Sequence, residues 1–178
     1  VDTANESGTS AIVDRIGSDP AHLDGPIVRI VPTDASGKPW LDGDGKVLCE
    51  TDVPENAGTV YYSVILVAQD GKPYGASEYR EPIDVYFSLD ETGSAVIYGG
   101  SEQQPTDWDM HFDLTGAVKQ SDGSYKVTIP ANKGSFTFSA ELNPDTVQES
   151  GEGFTLEVTK TVGNESKPYG PFEGAIVD

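Results

Sequence analysis

Sulfur is nearly absent from this sequence: among its 178 residues there is one cysteine, Cys49, and one methionine. A single thiol excludes an internal disulfide and a cysteine-based zinc cluster, since both need several sulfurs. Histidine is scarce as well, and His22 and His111 stand far apart. Neither belongs to a Gly-x-Ser-x-Gly or His-Glu-x-x-His pattern, so the chain is not expected to be an enzyme. Basic residues are the third shortage, with 11 Lys and Arg against 30 Asp and Glu and a formal charge of −19. Nucleic acids and anionic membranes are bound by basic faces that neutralise phosphate, and neither is an expected partner here. No apolar run reaches the roughly 18 residues of a membrane-spanning helix, and no basic-then-apolar signal region is read at the N-terminus. The sequence reads as a slice of something longer.

With 36% hydrophobic residues the chain can still build a core, and its length fits one domain. So strong an excess of negative charge makes a folded chain repel itself unless cations sit among the carboxylates. Without sulfur ligands the natural cation is a hard one bound by oxygen, and calcium is the first candidate.

The apolar pattern has a period of two. Residues 59–68 read TVYYSVILVA, which sets Val60, Tyr62, Val64, Leu66 and Ala68 on one face and Tyr61, Ser63, Ile65 and Val67 on the other. Residues 83–89, 124–129, 135–142 and 154–162 alternate in the same way and are rich in β-branched and aromatic residues; 27–31 and 174–177 add shorter strands. Turn signals separate them, among them Ser36-Gly37-Lys38-Pro39, Asp42-Gly43-Asp44-Gly45, Asp70-Gly71-Lys72-Pro73 and Asp122-Gly123. No stretch shows a helical stripe. The expected fold is all-β, an antiparallel β-sandwich with long loop insertions at 35–48 and 70–81.

An internal repeat bears on organisation. Residues 5–14 read NESGTSAIVD and residues 164–178 read NESKPYGPFEGAIVD, so both carry Asn-Glu-Ser, then Gly, then Ala-Ile-Val-Asp. Residues 1–25 are therefore expected to be a linker or the remnant of a preceding module, and 26–178 the sandwich itself, within a tandem array.

Two local patterns invite chemistry and carry little. Asp107 and Asp109 flank Trp108 like a carboxylate pair at a sugar site, yet acid pairs are common by chance among 30 acids. Asp42-Gly43-Asp44-Gly45 lacks the remaining ligand positions and the flanking helices of an EF-hand loop and reads as a plain turn.

The other carboxylates fall into an order. Pro54-Glu55-Asn56-Ala57-Gly58-Thr59-Val60 leads into the long strand, Asp90-Glu91-Thr92-Gly93-Ser94-Ala95 follows the next, Asp107-Trp108-Asp109 comes after a loop, and an acidic stretch from Asn143 to Glu152 precedes Phe154. This order resembles the Calx-beta family, calcium-binding β-sandwiches of an immunoglobulin-like kind, over residues 26–178. The resemblance implies calcium ligands at Glu55, Asp90, Asp145, Glu149, Glu152 and Asp178, with Asp107 and Asp109 in the place of the family's Asp-Tyr pair. The chain departs from the family at Asn143-Pro144-Asp145, where a run of acids is usual.

Acidic, cysteine-poor, tandem calcium sandwiches resemble pieces of large bacterial adhesins of the repeats-in-toxin type, and by size and acidity this one is similar to the peptide-binding modules of the ice-binding kind. That likeness implies an extracellular, cell-surface, monomeric module of a biofilm or cell-adhesion protein. It would grip the C-terminal end of a partner protein through a Ca²⁺-bridged carboxylate, beside neighbouring modules of its own chain. Trp108 and Tyr98 would lie near the ligand, and Trp40, Tyr74 and Tyr79 are further aromatics of the kind binding surfaces use. Two other roles stay open: a structural extender rigidified by calcium, and a calcium-dependent carbohydrate-binding module.

Overall fold

The computed structural model describes residues 26–144 and 151–177. Twelve strands follow one another: β1 (Ile27–Thr33), β2 (Glu50–Pro54), β3 (Thr59–Val67), β4 (Ile83–Thr92), β5 (Ile97–Gly99), β6 (Met110–Asp113), β7 (Val118–Lys119), β8 (Tyr125–Ile129), β9 (Phe136–Leu142), β10 (Gly153–Val162), β11 (Lys167–Pro168) and β12 (Pro171–Val177). They form two six-stranded sheets, in the orders β11-β1-β3-β9-β6-β5 and β2-β12-β10-β4-β8-β7. The all-β sandwich expected from the period-two pattern is the observed architecture. Its long pairings are antiparallel, while β1–β11, β2–β12 and β5–β6 are parallel.

The alternation of 59–68 explains how the first sheet sits. Tyr62, Val64 and Leu66 point into the main core, whereas Ile65 and Val67 join Ile27, Val31 and Val47 in a second cluster on the outer face. Tyr62, 1% exposed, is the hub of the main core. Its ring lies 5.5–6.1 Å from those of Phe112 and Phe138 in its own sheet and of Phe154 and Phe172 in the facing one. Burial pushes its hydroxyl pKa well above the usual tyrosine range. Phe87 of the second sheet stacks on Phe138 at 5.8 Å. Each such ring contributes about 1.5–3 kcal/mol by leaving water. Gly174 in β12 has no side chain because the Phe154 ring occupies the place where a Cβ would stand.

The two long insertions pack on the first sheet, the first on its outer cluster and the second on the main core. Val47 of the first comes down onto Ile27, Val31, Ile65 and Val67, held by its N–H to the Gly71 carbonyl at 2.9 Å. The second insertion contributes Tyr79, which is fully buried, its hydroxyl accepting the Leu66 N–H at 2.6 Å and its pKa raised by burial to about 12. Tyr74 packs, partly buried, against the main core. Tyr74 and Tyr79 are therefore packing residues and not surface anchors, because strand and insertion would otherwise leave apolar surface and a backbone amide exposed between them. The Asn-Glu-Ser of the second repeat copy fastens this insertion. Asn164 is 3% exposed and accepts the Arg80 N–H at 3.1 Å, while its amide nitrogen donates to the Glu78 carbonyl at 3.0 Å. The first copy of the repeat lies outside the described residues.

Turns are built by carboxylates. Asp34, Asp42, Asp70, Asp113 and Asp122 each accept the N–H of the residue two places on, at 2.8–3.1 Å, the side-chain imitation of a backbone turn. In Asp42-Gly43-Asp44-Gly45 the Asp42 carboxylate accepts from Asp44 and Lys46, which makes a tight turn and no EF-hand loop. Hydrogen bonds hold four of these acids below the usual 3.8: to Asp34 chiefly from the Ser36 hydroxyl, to Asp42 from the Lys46 N–H, to Asp113 from the Thr115 hydroxyl and to Asp122 from the Ser124 hydroxyl.

Two outcomes are expected. Tyr79→Phe strands the buried Leu66 N–H and should cost about 1–3 kcal/mol, read as a lower urea midpoint at unchanged slope. Acidification in EDTA should destabilise the fold only below the usual carboxylate values, 4.5 for Glu102, whose pKa the Lys119 ammonium holds down, and 3.8 for the turn aspartates. Carboxylates whose folded pKa is depressed stabilise fully above their unfolded pKa and lose that contribution as pH falls through the folded one. Between neutrality and that window, partial neutralisation of the excess charge should leave the melting temperature level or raise it. A melting temperature that falls steadily from neutral pH downward would contradict this account.

Candidate functional site

Strand register brings the acidic loops to one end of the sandwich. In the first sheet β3 starts where β9 ends (Thr59 opposite Glu141), β6 starts there too (Met110 opposite Leu142), and β5 starts level with β6. In the second sheet β4 ends opposite the start of β10 (Thr92 and Gly153), β12 ends beside it (Ala175 opposite Gly153), and β2 ends beside β12 (Pro54 and Val177). Residues 55–58, 93–96, 107–109, 143–144 and 151–152 therefore gather at this end.

Asp109 ties three of these segments together. It is 5% exposed, and its Oδ2 accepts the Val96 N–H at 2.7 Å. Its own N–H donates to the Val96 carbonyl at 2.8 Å, and its carbonyl accepts the Asn143 N–H at 3.0 Å. The Asn143 side-chain amide donates to the Trp108 carbonyl at 2.8 Å. On the facing sheet Glu152 is also 5% exposed, and its carbonyl accepts the Ile176 N–H at 3.0 Å. Gly93, at φ +65°, lets the Gly151 carbonyl sit where a Cβ would be, a conformation and an approach open only to glycine. Glu55 opens the β2–β3 corner, its N–H donating to the Val177 carbonyl at 2.8 Å.

Glu55, Asp107, Asp109 and Glu152 are thus the sequence-derived candidates that the fold brings to one end. Asp107 is exposed there, in a left-handed backbone at φ +55°. Asp90 is not in a turn: β4 runs on to Thr92, and Asp90 stands exposed within it opposite Thr155, because the Asp-Glu-Thr segment pairs with β10. Asp145, Glu149 and Asp178 lie outside the described residues. Among the described residues no three Asp, Glu, His or Cys side chains come close enough to hold a metal ion. The described candidates carry oxygen donors, the chemistry calcium takes, and an ion wanting six to eight of them needs more than these residues bring together.

The two aromatic candidates meet. Tyr98 lies edge-on to Trp108 at 5.6 Å and stacks on His111 at 4.3 Å, all three partly buried. His111 belongs to this cluster through the parallel register that sets Tyr98 opposite His111, a neighbourhood that no sequence spacing announces. Its Nε2 lies 3.2 Å from the Gly100 carbonyl. Trp40 is 56% exposed and lines a cleft with Thr51, Pro54 and Thr59. Cys49 is a free, exposed thiol.

No family model matches the chain, and no curated protein matches it. A matching solved structure is described as a crystal structure of an apo-form Calx CBD1 domain, 16% identical in sequence. The match covers 85% of this chain and 97% of that one at a TM-score of 0.43.

Proposed function

We propose that this chain is a calcium-dependent peptide-binding module of a bacterial cell-surface adhesin, a binding protein and not an enzyme, that grips the C-terminal end of a partner chain. The observation that carries the reading is the convergence of acidic loops at one end of the sandwich, with two carboxylate-bearing residues, Asp109 and Glu152, 5% exposed there. Glu55, Asp107, Asp109 and Glu152 are the candidate ligands at this end, no three of them close enough to hold an ion by themselves, and Asp145, Glu149 and Asp178 are the further candidates that the resemblance names. Bound calcium supplies a positive centre that a terminal carboxylate can approach on a chain of net charge −19. The chain's own part is to position it: Asp109 clamps the Val96 and Asn143 backbones, and Trp108 with Tyr98 offers a ring surface beside that clamp. The repeat at residues 5–14 and 164–178 favours a second reading, in which the module is an extender between like neighbours and binds only the ion.

Thermal unfolding in millimolar Ca²⁺, in excess EDTA and in Mg²⁺ tests the ion. Saturation a hundredfold above Kd stabilises by about 2.7 kcal/mol, which for a domain of this size raises Tm by roughly 5–10 °C. An identical melt in all three solutions would remove calcium from the reading. Free-acid and amidated forms of a peptide library then separate gripping from extension. Preference for the free acids, lost in Trp108→Ala at unchanged calcium-dependent Tm, is the expected result; equal binding of both forms would sink carboxylate capture.

A further inference from the structure

Strand β2 ends its sheet among the described residues, paired on one side only, with β12. The register fixes which of its backbone groups are used. The Cys49 carbonyl accepts the Glu173 N–H at 3.0 Å and the Glu55 N–H donates to the Val177 carbonyl at 2.8 Å. In a parallel pair the groups facing the partner alternate, so Thr51 and Val53 also bond β12, and the amides of Glu50 and Asp52 face away from it. Pro54, next along, brings no N–H.

Thr51–Pro54 form one wall of an open, mainly apolar cleft of about 430 Å³, whose other sides include Asp34, Trp40, Leu48 and Tyr61. The cleft is carved by the first insertion, which leaves β1, crosses the mouth between the sheets and returns to β2. Two features of its lining speak to an occupant. Asp34 and Asp52 are the charged residues of its lining; the Lys38 charge acts on Asp34 from outside the lining, which leaves Asp52 as the carboxylate without a cation in the lining. Trp40 stands 56% exposed with Leu41 next to it at 45%, on a turn anchored by the Trp40 N–H to the Pro32 carbonyl at 3.1 Å.

We propose that this cleft receives an extended segment of a partner polypeptide carrying Lys or Arg between apolar residues, added as a further strand to the outer edge of β2. An added strand would take up the Glu50 and Asp52 amides, as extended peptides do at open sheet edges. Its alternate side chains would point into the apolar cleft. A cationic side chain fits best because the only lining charges are negative, because an exposed indole face attracts cations, and because a surface of net −19 repels anionic segments. Asp34 keeps its charge at neutral pH, since the Ser36 hydroxyl and backbone amides of its turn hold its pKa down.

The test uses the full chain and an acetylated, amidated eight-residue peptide of alternating lysine and valine, with a glutamate–valine peptide as control. Tryptophan fluorescence reads binding, and amide hydrogen exchange by NMR reads the edge. The lysine peptide should bind saturably, more weakly at high salt, and slow exchange at the Glu50 and Asp52 amides; the glutamate peptide should not. Trp40→Ala, at an exposed site, and Asp52→Pro, which removes an outward N–H that an edge strand can spare, should each weaken binding about tenfold or more. Binding unaltered in Trp40→Ala would place the peptide elsewhere and overturn the proposal, as would absence of saturable binding. Glu50 and Asp52 amides already protected in the free monomer would give the edge to the chain's own residues 1–25. Protection that grows with protein concentration would give it to a second copy; either result overturns the proposal. Because the probe has no free carboxylate, its result stands whether or not calcium binds at the loop end.

Discussion

A carboxylate accepting a backbone N–H is the bond on which most of this architecture depends. It builds the turns at Asp34, Asp42, Asp70, Asp113 and Asp122. It also fastens one element to another, Glu91 to Ile97, Glu102 to Gly99, Asp109 to Val96 and Glu81 to Asn164. An ionised acceptor makes a shorter and stronger bond than a neutral one, which matters in a chain whose one cysteine rules out an internal disulfide. The cost is a surface that repels itself. Asparagine would make many of the same turns without charge, so turn-building alone does not account for a net −19. The remaining acids are the observation behind the proposed cation and the proposed cationic partner.

The insertions are what make this sandwich more than two sheets. A sheet whose strands are apolar on both faces, as β3 is through Tyr62, Val64 and Leu66 inside and Ile65 and Val67 outside, needs a second cover. The first insertion supplies it through Val47, while the second sends Tyr79 into the main core. Covering the sheet from the β1–β2 connection also carries Trp40 past the edge of β2, where it stands 56% exposed. The cleft is thus a by-product of how the outer cluster is buried, and its exposed indole is the part that burial does not explain.

Much of the fold was legible because period-two alternation survives wherever a strand is long. Strands β3, β4, β9 and β10 were plain in the sequence, and the two faces of β3 were assigned as the structure has them. The short strands β2, β5, β6, β7 and β11 carried no pattern of their own; they exist because a long neighbour offers an edge. The same limit applies to the site. Turn-like acids at Glu55, Asp107 and Asp109 did come to one end, since strand order alone takes them there. Asp90 read as a turn residue because Asp-Glu-Thr-Gly looks like one, yet β10 extends the pairing through it. His111 was invisible because its neighbourhood with Tyr98 is made by a parallel register, which sequence distance cannot report. Tyr79 misled in the opposite sense: an aromatic in an insertion suggests a surface, and only the Leu66 amide it caps explains its burial.

The loop end and the β2 cleft lie on one strand's path, and this constrains how they can act together. Strand β2 carries its outward amides at Glu50 and Asp52 and reaches the loop end at Pro54, where the Glu55 N–H bonds the last residue of β12. A partner strand seated along β2 would therefore run toward or away from the acidic loops in register with β12. If its C-terminus points toward them, a terminal carboxylate would arrive at the end where Glu55 and Glu152 stand, while its basic residues pass Asp52 and Trp40. One extended, cationic chain ending at the loops would satisfy both surfaces, and neither surface needs the other to bind on its own.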